Sequence, residues 1–436
     1  MKSMRTPASL ALLIAVAACG GDSPADAASL ATTRDSAGVR IVENVGETGS
    51  AGSAPVMAAE PALSIGEMDG PPEYQLYQVR AATRLSDGGV AIFDGGSQEV
   101  RYYDATGSFV RRSGGKGGGP GEYQGVGWMV RLPGDSLMLN DSQAQRITVL
   151  APDGTVARSV ALAAAAPPPG VAPAGGSQTV RISGLGMYDV VGPMRDGLFL
   201  ARARGEMQAP VPGAPVTRDS VTYVRLAADG TLQDTLGVLP GDERQASTSG
   251  SDGNRMVMVG PPPFGRTARV ALDEDGFWFG AGNSYQIEHR TADGRVDRIV
   301  RRALGPIAVT PAVVAAAKAE ALERPISGPV EMQEMVRQMT ESRWDNATMP
   351  AAMPAHGALH TDPSGRLWVE ETTEPGVRAA RWTAFDADGR MLGTITMPER
   401  FRALEFGTDH VIGVAMDENE VERVELFSFE TPTPIS

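Results

Sequence analysis

The chain has 436 residues, a formal net charge of −14 at pH 7 and a sequence pI near 4.9. An acidic surface of this kind repels phosphates and anionic lipid headgroups, which argues against nucleic acid and the membrane surface as partners. Cys19 is the only cysteine in the chain. The sequence therefore offers no intramolecular disulfide and no other thiol for a nucleophile or a metal site, so packing must stabilise the fold.

The first segment, MKSMRTPASLALLIAVAAC, has the pattern of an export signal. Lys2 and Arg5 precede an apolar run of 11 residues, Ala8 to Ala18, which is shorter than the roughly 20 residues of a membrane-spanning helix. VAAC resembles the lipobox of bacterial lipoproteins, and this resemblance implies removal of residues 1–18 and lipidation of Cys19. An ordinary signal peptide with a chance cysteine is the alternative.

Residues 19–37 are small, polar and aperiodic, which is typical of a flexible tether. Gly20 follows Cys19, where an aspartate would resemble an inner-membrane retention signal. By analogy with Gram-negative bacteria, we expect a lipid-anchored envelope protein at the outer membrane, facing the periplasm or the surface. The segment removed carries two positive charges and no negative ones, so the mature chain would have a net charge of −16.

From residue 38 to residue 430, β-rich segments alternate with glycine-containing turns in a repeating pattern. Such turns join antiparallel neighbours, and segments such as VAIFD and FWFG are too short for helices. Six copies of the first turn indicate six units of up to four strands, which we name a to d from the axis outward. The predicted fold class is therefore all-β, a six-bladed β-propeller. The first turns are residues 86–89, 133–135, 195–197, 274–276, 363–365 and 407–409.

Two stretches, FDGGSQEVRYYDATG and LNDSQAQRITVLAPDG, resemble the blade core of NHL-repeat proteins, and GPGEY resembles their blade junction. Over roughly residues 38–430 the chain is similar to bacterial six-bladed propeller lipoproteins of this NHL-like kind. The resemblance implies the fold and leaves the activity open, because that family hosts varied functions.

The sixth unit ends after three strands, which would leave an open sheet edge. GPGEY (119–123) follows strand d of blade 1, and GPPEY (70–74) repeats it 49 residues earlier. PALSI (61–65) is therefore predicted to be the missing strand d of blade 6. GVRIVENV (38–45) predicts a further strand of unassigned position. On this interpretation the glycine loop at 114–125 is a structural junction, with anion binding as the alternative.

In a propeller, b-to-c loops and blade junctions share one face, and the excess length of this chain falls on that face. The four long insertions are residues 163–178, 205–219, 243–265 and 305–355. Variable loops on a rigid scaffold commonly carry function, which makes this face the functional candidate; the alternative is that loops simply tolerate insertions.

The longest insertion, 305–355, predicts two helices, with Thr310 as N-cap and Pro311 at the first helical position. We interpret its apolar stripe as packing against the propeller, with a mobile lid or a peptide groove as the alternative. The stripe consists of Val330, Met332, Met335, Val336 and Met339.

Two motifs suggest chemistry that their context does not support. GDSL (134–137) matches the nucleophile motif of GDSL esterases, but a strand follows Ser136 where that family has a helix. His356 and His360 have metal-like spacing only in a helix, whereas Pro354 and Pro363 indicate an extended segment in which they lie about 13 Å apart. We therefore expect neither esterase chemistry nor a zinc centre.

Two sets of residues are candidates for a site on the insertion-bearing face. Four carboxylates at the ends of b strands are weak candidates for calcium ligands: Asp94, Asp141, Glu371 and Asp417. The stronger interpretation is that they accept hydrogen bonds from the adjacent turn. Residues near the start of the inner strands are the candidate ligand-binding set at the channel mouth: Gln78, Trp128, Tyr188, Arg266, His356 and Arg402. Aromatic and arginine side chains suit sugars or peptides.

The sequence as a whole favours a monomeric, membrane-tethered binding or interaction scaffold for a protein, peptide or carbohydrate ligand. No cofactor and no nucleic-acid partner are expected. The alternative is a divalent-metal-dependent propeller hydrolase or lyase that resembles lactonases, with calcium as the metal. Residues 431–436 form a C-terminal tail beyond the last blade.

Overall fold

The computed structural model describes residues 31–46, 55–162, 188–203, 213–249, 256–324, 326 and 329–430. The predicted signal peptide, Cys19 and the predicted C-terminal tail lie outside the described residues, as do the insertion at 163–178 and residues 205–212. Within the described part of the chain, no helix is long and apolar enough to cross a membrane.

Twenty-eight strands and two helices make up the described fold. The first twelve strands are β1 (Ala31–Ser36), β2 (Val39–Asn44), β3 (Val56–Met57), β4 (Leu63–Ile65), β5 (Ala81–Arg84), β6 (Val90–Asp94), β7 (Glu99–Tyr103), β8 (Phe109–Gly114), β9 (Val126–Arg131), β10 (Leu137–Asp141), β11 (Arg146–Leu150) and β12 (Val156–Ala161). Next come β13 (Tyr188–Pro193), β14 (Phe199–Ala203), β15 (Thr217–Leu226), β16 (Leu232–Ser249), β17 (Met256–Gly260), β18 (Arg269–Leu272), β19 (Gly276–Gly280), β20 (Gln286–Thr291) and β21 (Val296–Arg302). The helices α1 (Pro311–Glu323) and α2 (Val330–Asp345) precede β22 (Leu359–Thr361), β23 (Leu367–Glu370), β24 (Ala379–Phe385), β25 (Met391–Glu399), β26 (Phe401–Phe406), β27 (His410–Met416) and β28 (Glu422–Glu430).

The described strands form six sheets, one for each predicted unit, so the protein is an all-β propeller. Blades 1 to 6 begin with the inner strands β5, β9, β13, β18, β22 and β26. Each inner strand pairs antiparallel with the next strand in sequence, as the glycine turns predict. The second strand of blade 1, β6, is buried at all five positions because neighbouring blades cover both of its faces.

The core is divided among the gaps between blades. Each of six buried apolar clusters combines side chains from two consecutive blades. The cluster that joins the last blade to the first contains Ile412 and Val424 of blade 6 and Val90 and Ile92 of blade 1. The ring of blades is therefore closed by packing as well as by pairing.

The predicted outer strand of blade 6 is confirmed. β4 pairs antiparallel with β28, with Ile65 opposite Val424 and Leu63 opposite Leu426. Gly66 follows with φ 141°, and a Cβ there would lie 2.4 Å from the carbonyl oxygen of Glu422. Only glycine fits where the chain leaves this strand, because the backbone of β28 occupies the space of a side chain.

The segment that the sequence could not place, GVRIVENV, contains β2. This strand pairs parallel to β21 and extends blade 4, and β1 pairs with it as a sixth strand. The prediction of a flexible tether through residue 37 is thus wrong for Ala31–Ser36, which form β1. Asn44 is 1% exposed; it donates to the Gly389 carbonyl oxygen and accepts from the Met391 amide, which ties blade 4 to blade 5.

The two predicted helices are present, and Thr310 caps α1 by accepting a hydrogen bond from the Val313 amide at 3.3 Å. No residue of either helix is buried, and Met332 and Met335 are 49% and 48% exposed. The apolar stripe of α2 therefore does not form a core against the propeller, contrary to the preferred interpretation.

The insertion at 243–265 also differs from the predicted junction loop. β16 continues through Ser249, and its residues Gln245–Ser249 pair antiparallel with Met256–Gly260 of β17; we call these two paired segments the hairpin. α2 lies against this hairpin: the Ser342 hydroxyl donates to the Thr248 carbonyl oxygen at 2.8 Å, and the Gln245 amide group donates to the Asn346 carbonyl oxygen at 3.1 Å.

Candidate functional site

The glycine-rich loop at 114–125 is built as a blade junction. Arg146 of blade 2 donates to the Gly119 carbonyl oxygen at 3.0 Å, and the buried Tyr123 ring packs edge-on against Phe93 at 5.6 Å. The Gly117 amide donates to the Tyr123 carbonyl oxygen rather than toward solvent. Because the loop uses its own amides and presents its carbonyls to an arginine, its chemistry supports the structural interpretation over anion binding.

The equivalent junction before blade 1 has the same construction. Arg101 donates to the carbonyl oxygens of Glu73 and Gln75, at 3.3 Å and 2.7 Å. GPPEY and GPGEY therefore recur because each presents backbone carbonyls to an arginine on the third strand of the following blade.

Two of the four candidate metal ligands are engaged by backbone amides. Asp94 accepts from the Tyr77 and Ser97 amides, both at 2.7 Å. Asp141 accepts from the amides of Gln124, Gly125, Gln143 and Ala144 at 2.8–3.2 Å. These carboxylates tie each b-to-c turn to the preceding junction, as the stronger interpretation predicts.

The other two candidate ligands are also engaged, one by backbone amides and one by an ion pair. Asp417 accepts from the Asn419 and Val421 amides. Glu371 forms an ion pair with Arg302, whose side chain is 1% exposed, and accepts from the Thr383 hydroxyl at 2.7 Å. Burial alone would raise the pKa of Glu371, but these two partners outweigh it and lower the pKa. No group of three or more metal-ligating side chains occurs in the described ranges.

The six residues predicted to ring the channel mouth have different surroundings in the structure. Gln78 and Arg402 are exposed, and Arg402 donates to the Val79 carbonyl oxygen at 2.8 Å. Trp128 and Tyr188 pack between blades 2 and 3, and the Trp128 indole donates to the Val190 carbonyl oxygen. The remaining two also have structural surroundings: Arg266 pairs with Glu243 at 2.7 Å, and His356 is 3% exposed against Gly280.

The GDSL motif and the histidine pair both have structural partners. Asp135 of GDSL accepts from the Ser86 amide at 3.0 Å, which links the turns of blades 1 and 2. His360 lies in β22 and packs on Trp382 and Phe406, with ring centroids at 5.4 Å and 5.5 Å. Burial lowers the pKa of His360 to about 4, so it is a neutral packing residue at physiological pH.

An open groove of about 820 Å³ lies between the helical insertion and the rim of the propeller, on the insertion-bearing face. The helices contribute one wall, which includes Ala317, Ala321, Val336 and Thr340. The opposite wall consists of the blade 3-to-4 junction at 261–265 and the b-to-c loop of blade 5 at 373–377. Two of the long insertions and one b-to-c loop thus meet at one concave surface.

Aromatic rings mark one end of this groove. Phe264 and Trp344, both half-buried, meet edge to face with centroids 5.7 Å apart. Phe264 has φ 55°, a left-handed conformation that is unfavourable for a bulky residue. The turn that holds it is closed by a 2.9 Å hydrogen bond from the Gly265 amide to the Pro262 carbonyl oxygen. Backbone strain of this kind concentrates at ligand-binding and switch sites.

Charged side chains lie along the same groove. The guanidinium of Arg343 donates to the Pro261 carbonyl oxygen at 2.5 Å, from α2 to the rim. Glu320 of α1 accepts from the Gly376 amide at 3.3 Å and lies 4.0 Å from Arg324. Burial and the nearby charge of Arg324 both lower the pKa of Arg343.

The sequence prediction named the insertion but not the groove residues. Trp344 lies next to the last residue of α2, and Phe264 follows the three prolines that precede it and stands before Gly265. The sequence signal for these groove residues was an aromatic residue next to a glycine in one long insertion and a tryptophan in another. Their contact depends on how α2 docks, which the sequence does not specify.

Comparison with known proteins found solved structures of low similarity only. No family model and no curated protein matches the chain. A protein from Bacteroides fragilis described as exported is similar at 10% identity and a TM-score of 0.45, over 89% of this chain and 99% of that chain. A DUF4221 family member from Bacteroides vulgatus has 9% identity and a TM-score of 0.46 over 87% and 99%, and virginiamycin B lyase from Staphylococcus aureus has 12% and 0.33 over 80% and 94%. Similarity at this level supports no conclusion about this chain. Its own six sheets and the groove beside the helices define it as a β-propeller with a rim groove beneath a helical insertion.

Proposed function

We propose that this protein is an exported, lipid-anchored binding protein of the NHL-like propeller kind, which holds its ligand in the groove beneath α1 and α2. The observation that carries the proposal is the groove itself: about 820 Å³, with aromatic rings at one end and charged groups along it. This volume lies within the range of roughly 300–1,000 Å³ that is typical of small-molecule sites.

The way the helices are attached also supports ligand binding. No residue of α1 or α2 is buried, and polar contacts connect the helices to each other and to the rim. Lys318 pairs with Asp345 at 2.5 Å between the helices, and Glu320 and Arg343 reach the rim. Elements with few buried apolar contacts open at low free-energy cost, so the helical insertion can admit and cover a ligand.

The chemistry of the alternative, a metal-dependent hydrolase or lyase, finds less support. Each of the four b-strand carboxylates accepts hydrogen bonds or an ion pair from its own neighbourhood. Such carboxylates would have to break these contacts before they could share a cation.

Saturation-transfer NMR on the purified full-length protein tests the proposal with a panel of sugars, sugar acids, amino acids and short peptides. At least one class should give a signal that Trp344→Ala abolishes and Tyr77→Ala retains. Tyr77 is a matched control because it is a 56% exposed aromatic residue at another blade junction. If no class of compound distinguishes the two variants, the groove is not the binding site.

The anchor is tested separately. Incorporation of a labelled fatty acid in the producing cells should be lost in Cys19→Ala. Persistence of the label in this variant would refute lipidation at Cys19.

A further inference from the structure

We infer that the ligand presents a carboxylate to Arg343 beside an aromatic or apolar body that contacts Trp344 and Phe264. The inference rests on the proposed groove and specifies its ligand class. The expected ligands are small organic acids and peptide ends in which a carboxylate lies next to a ring.

The placement of Arg343 is the first support. Arg343 belongs to the last turn of α2, where a basic side chain can simply interact with the helix dipole. Its guanidinium instead crosses to the rim and donates to the Pro261 carbonyl oxygen at 2.5 Å. The charge is therefore held across the groove rather than against the carbonyls of its own helix.

The second support is the electrostatic environment of this guanidinium. Among the described residues, no carboxylate lies within 4.0 Å of Arg343, whereas Arg266 on the same groove-bearing rim pairs with Glu243 at 2.7 Å. Arg324 lies near enough to oppose its charge, and Glu320 is 4.0 Å from Arg324. A bound anion would relieve the repulsion between Arg343 and Arg324.

The third support is geometry. A guanidinium has five N–H donors in a planar fork, and the structure commits one nitrogen of Arg343 to Pro261. The remaining donors suit the two oxygens of a carboxylate, which arginine binds in a bidentate manner. Trp344 is the next residue along α2, and its edge-to-face contact with Phe264 places ring surface beside that donor set.

Matched probe pairs test this inference by isothermal titration of the full-length protein. The first pair is N-acetyl-L-phenylalanine and its amide, which have the same aromatic group and differ only in the carboxylate. The second pair is the peptide Ala-Ala-Phe with a free or an amidated C-terminus, which makes the same comparison for a peptide end. The acid of at least one pair should bind roughly tenfold more tightly than its amide, as expected for a charge-assisted bidentate contact. The pair with the larger ratio identifies the source, free acid or peptide end.

Variants locate the effect. Arg343→Gln should abolish the preference for the acid, and Arg343→Lys, which keeps the charge but not the fork, should reduce it. Arg337→Gln should leave the preference unchanged, because Arg337 lies on the same helix and pairs with Glu334 at 3.9 Å. Unchanged melting of Arg343→Lys shows that the insertion still folds.

Equal affinities for acid and amide, no binding of either at millimolar concentration, or an acid preference that survives Arg343→Gln would each overturn the inference. If acid and amide bind equally well and Trp344→Ala abolishes the binding of both, the groove remains the proposed binding site and only the inferred carboxylate contact is refuted. The two proposals therefore fail in different ways.

Discussion

Closure of the ring by β4 makes a quantitative prediction for Ile65→Ala. Ile65 is 2% exposed in the cluster between blades 6 and 1. The substitution removes three carbon groups, each worth about 0.8 kcal/mol when buried. The cavity that remains adds to this loss, and large-to-alanine changes in cores cost about 2–5 kcal/mol. We expect Ile65→Ala to lower the free energy of unfolding by about 3 kcal/mol.

Val56→Ala is the matched control because β3 also pairs with β28, but its side chain is 50% exposed. Two half-buried methyl groups predict a loss of about 0.8 kcal/mol. Urea titration measures both values, and hydrogen exchange should show faster opening of β28 in Ile65→Ala without a change in β8. Equal losses in the two variants, or unchanged exchange in β28, would refute closure by β4.

Three further predictions concern charge. Arg302→Met removes the buried partner of Glu371, which keeps the more exposed Arg381 at 3.3 Å, and should lower the free energy of unfolding by about 3 kcal/mol in urea titrations. Arg195→Gln, at an exposed pair, should cost less than about 1 kcal/mol, and equal costs would contradict this ranking. Burial opposes the charged form of His289, but Asp273 and Asp297 outweigh burial and raise the pKa of His289. The protonated histidine therefore stabilises the fold in full below about pH 6.5, and this contribution is lost as the pH rises through the raised pKa. The difference in melting temperature between wild type and His289→Gln should therefore narrow from pH 6 to pH 9, and a constant difference would exclude this contribution. EDTA should leave the melting temperature unchanged, because the four b-strand carboxylates already have partners; a fall would demonstrate a structural cation.

Much of the fold could be predicted because its signals are local. Glycine turns and short β-rich segments define each hairpin, and the strand count of the sixth unit identifies the missing strand at 61–65. The repeated GPPEY and GPGEY junctions then fix where that strand belongs, since each presents carbonyls to an arginine on the next blade.

The position of β2 could not be predicted, because its partner is distant in sequence. Ile41 lies opposite Ile299 in a parallel pair on the outer edge of blade 4. A propeller has one such edge for every blade, and an apolar alternation alone does not select among them. Asn44, which joins blade 4 to blade 5, is specific to this edge, but a single asparagine in a strand carries no recognisable signal.

The candidate site was less predictable than the fold for a similar reason. Position near the start of an inner strand says which end of the blade a residue occupies, but not whether it faces the channel or the gap between blades. Trp128 faces the gap and packs with blade 3. The groove residues come from separate insertions, so their proximity depends on the docking of α2 against the hairpin of β16 and β17.

The division of polar groups between the channel mouth and the rim favours the rim as the binding site. Among the residues predicted to ring the mouth, the Trp128 indole and the Arg402 guanidinium donate to backbone carbonyls of the adjoining blade, so these groups hold the ring together. A ligand there would compete with contacts that stabilise the fold. Neither α1 nor α2 bears a buried residue, and the donors that Arg343 retains have no carboxylate partner among the described residues. Binding at the rim would therefore add interactions without removing those that close the propeller.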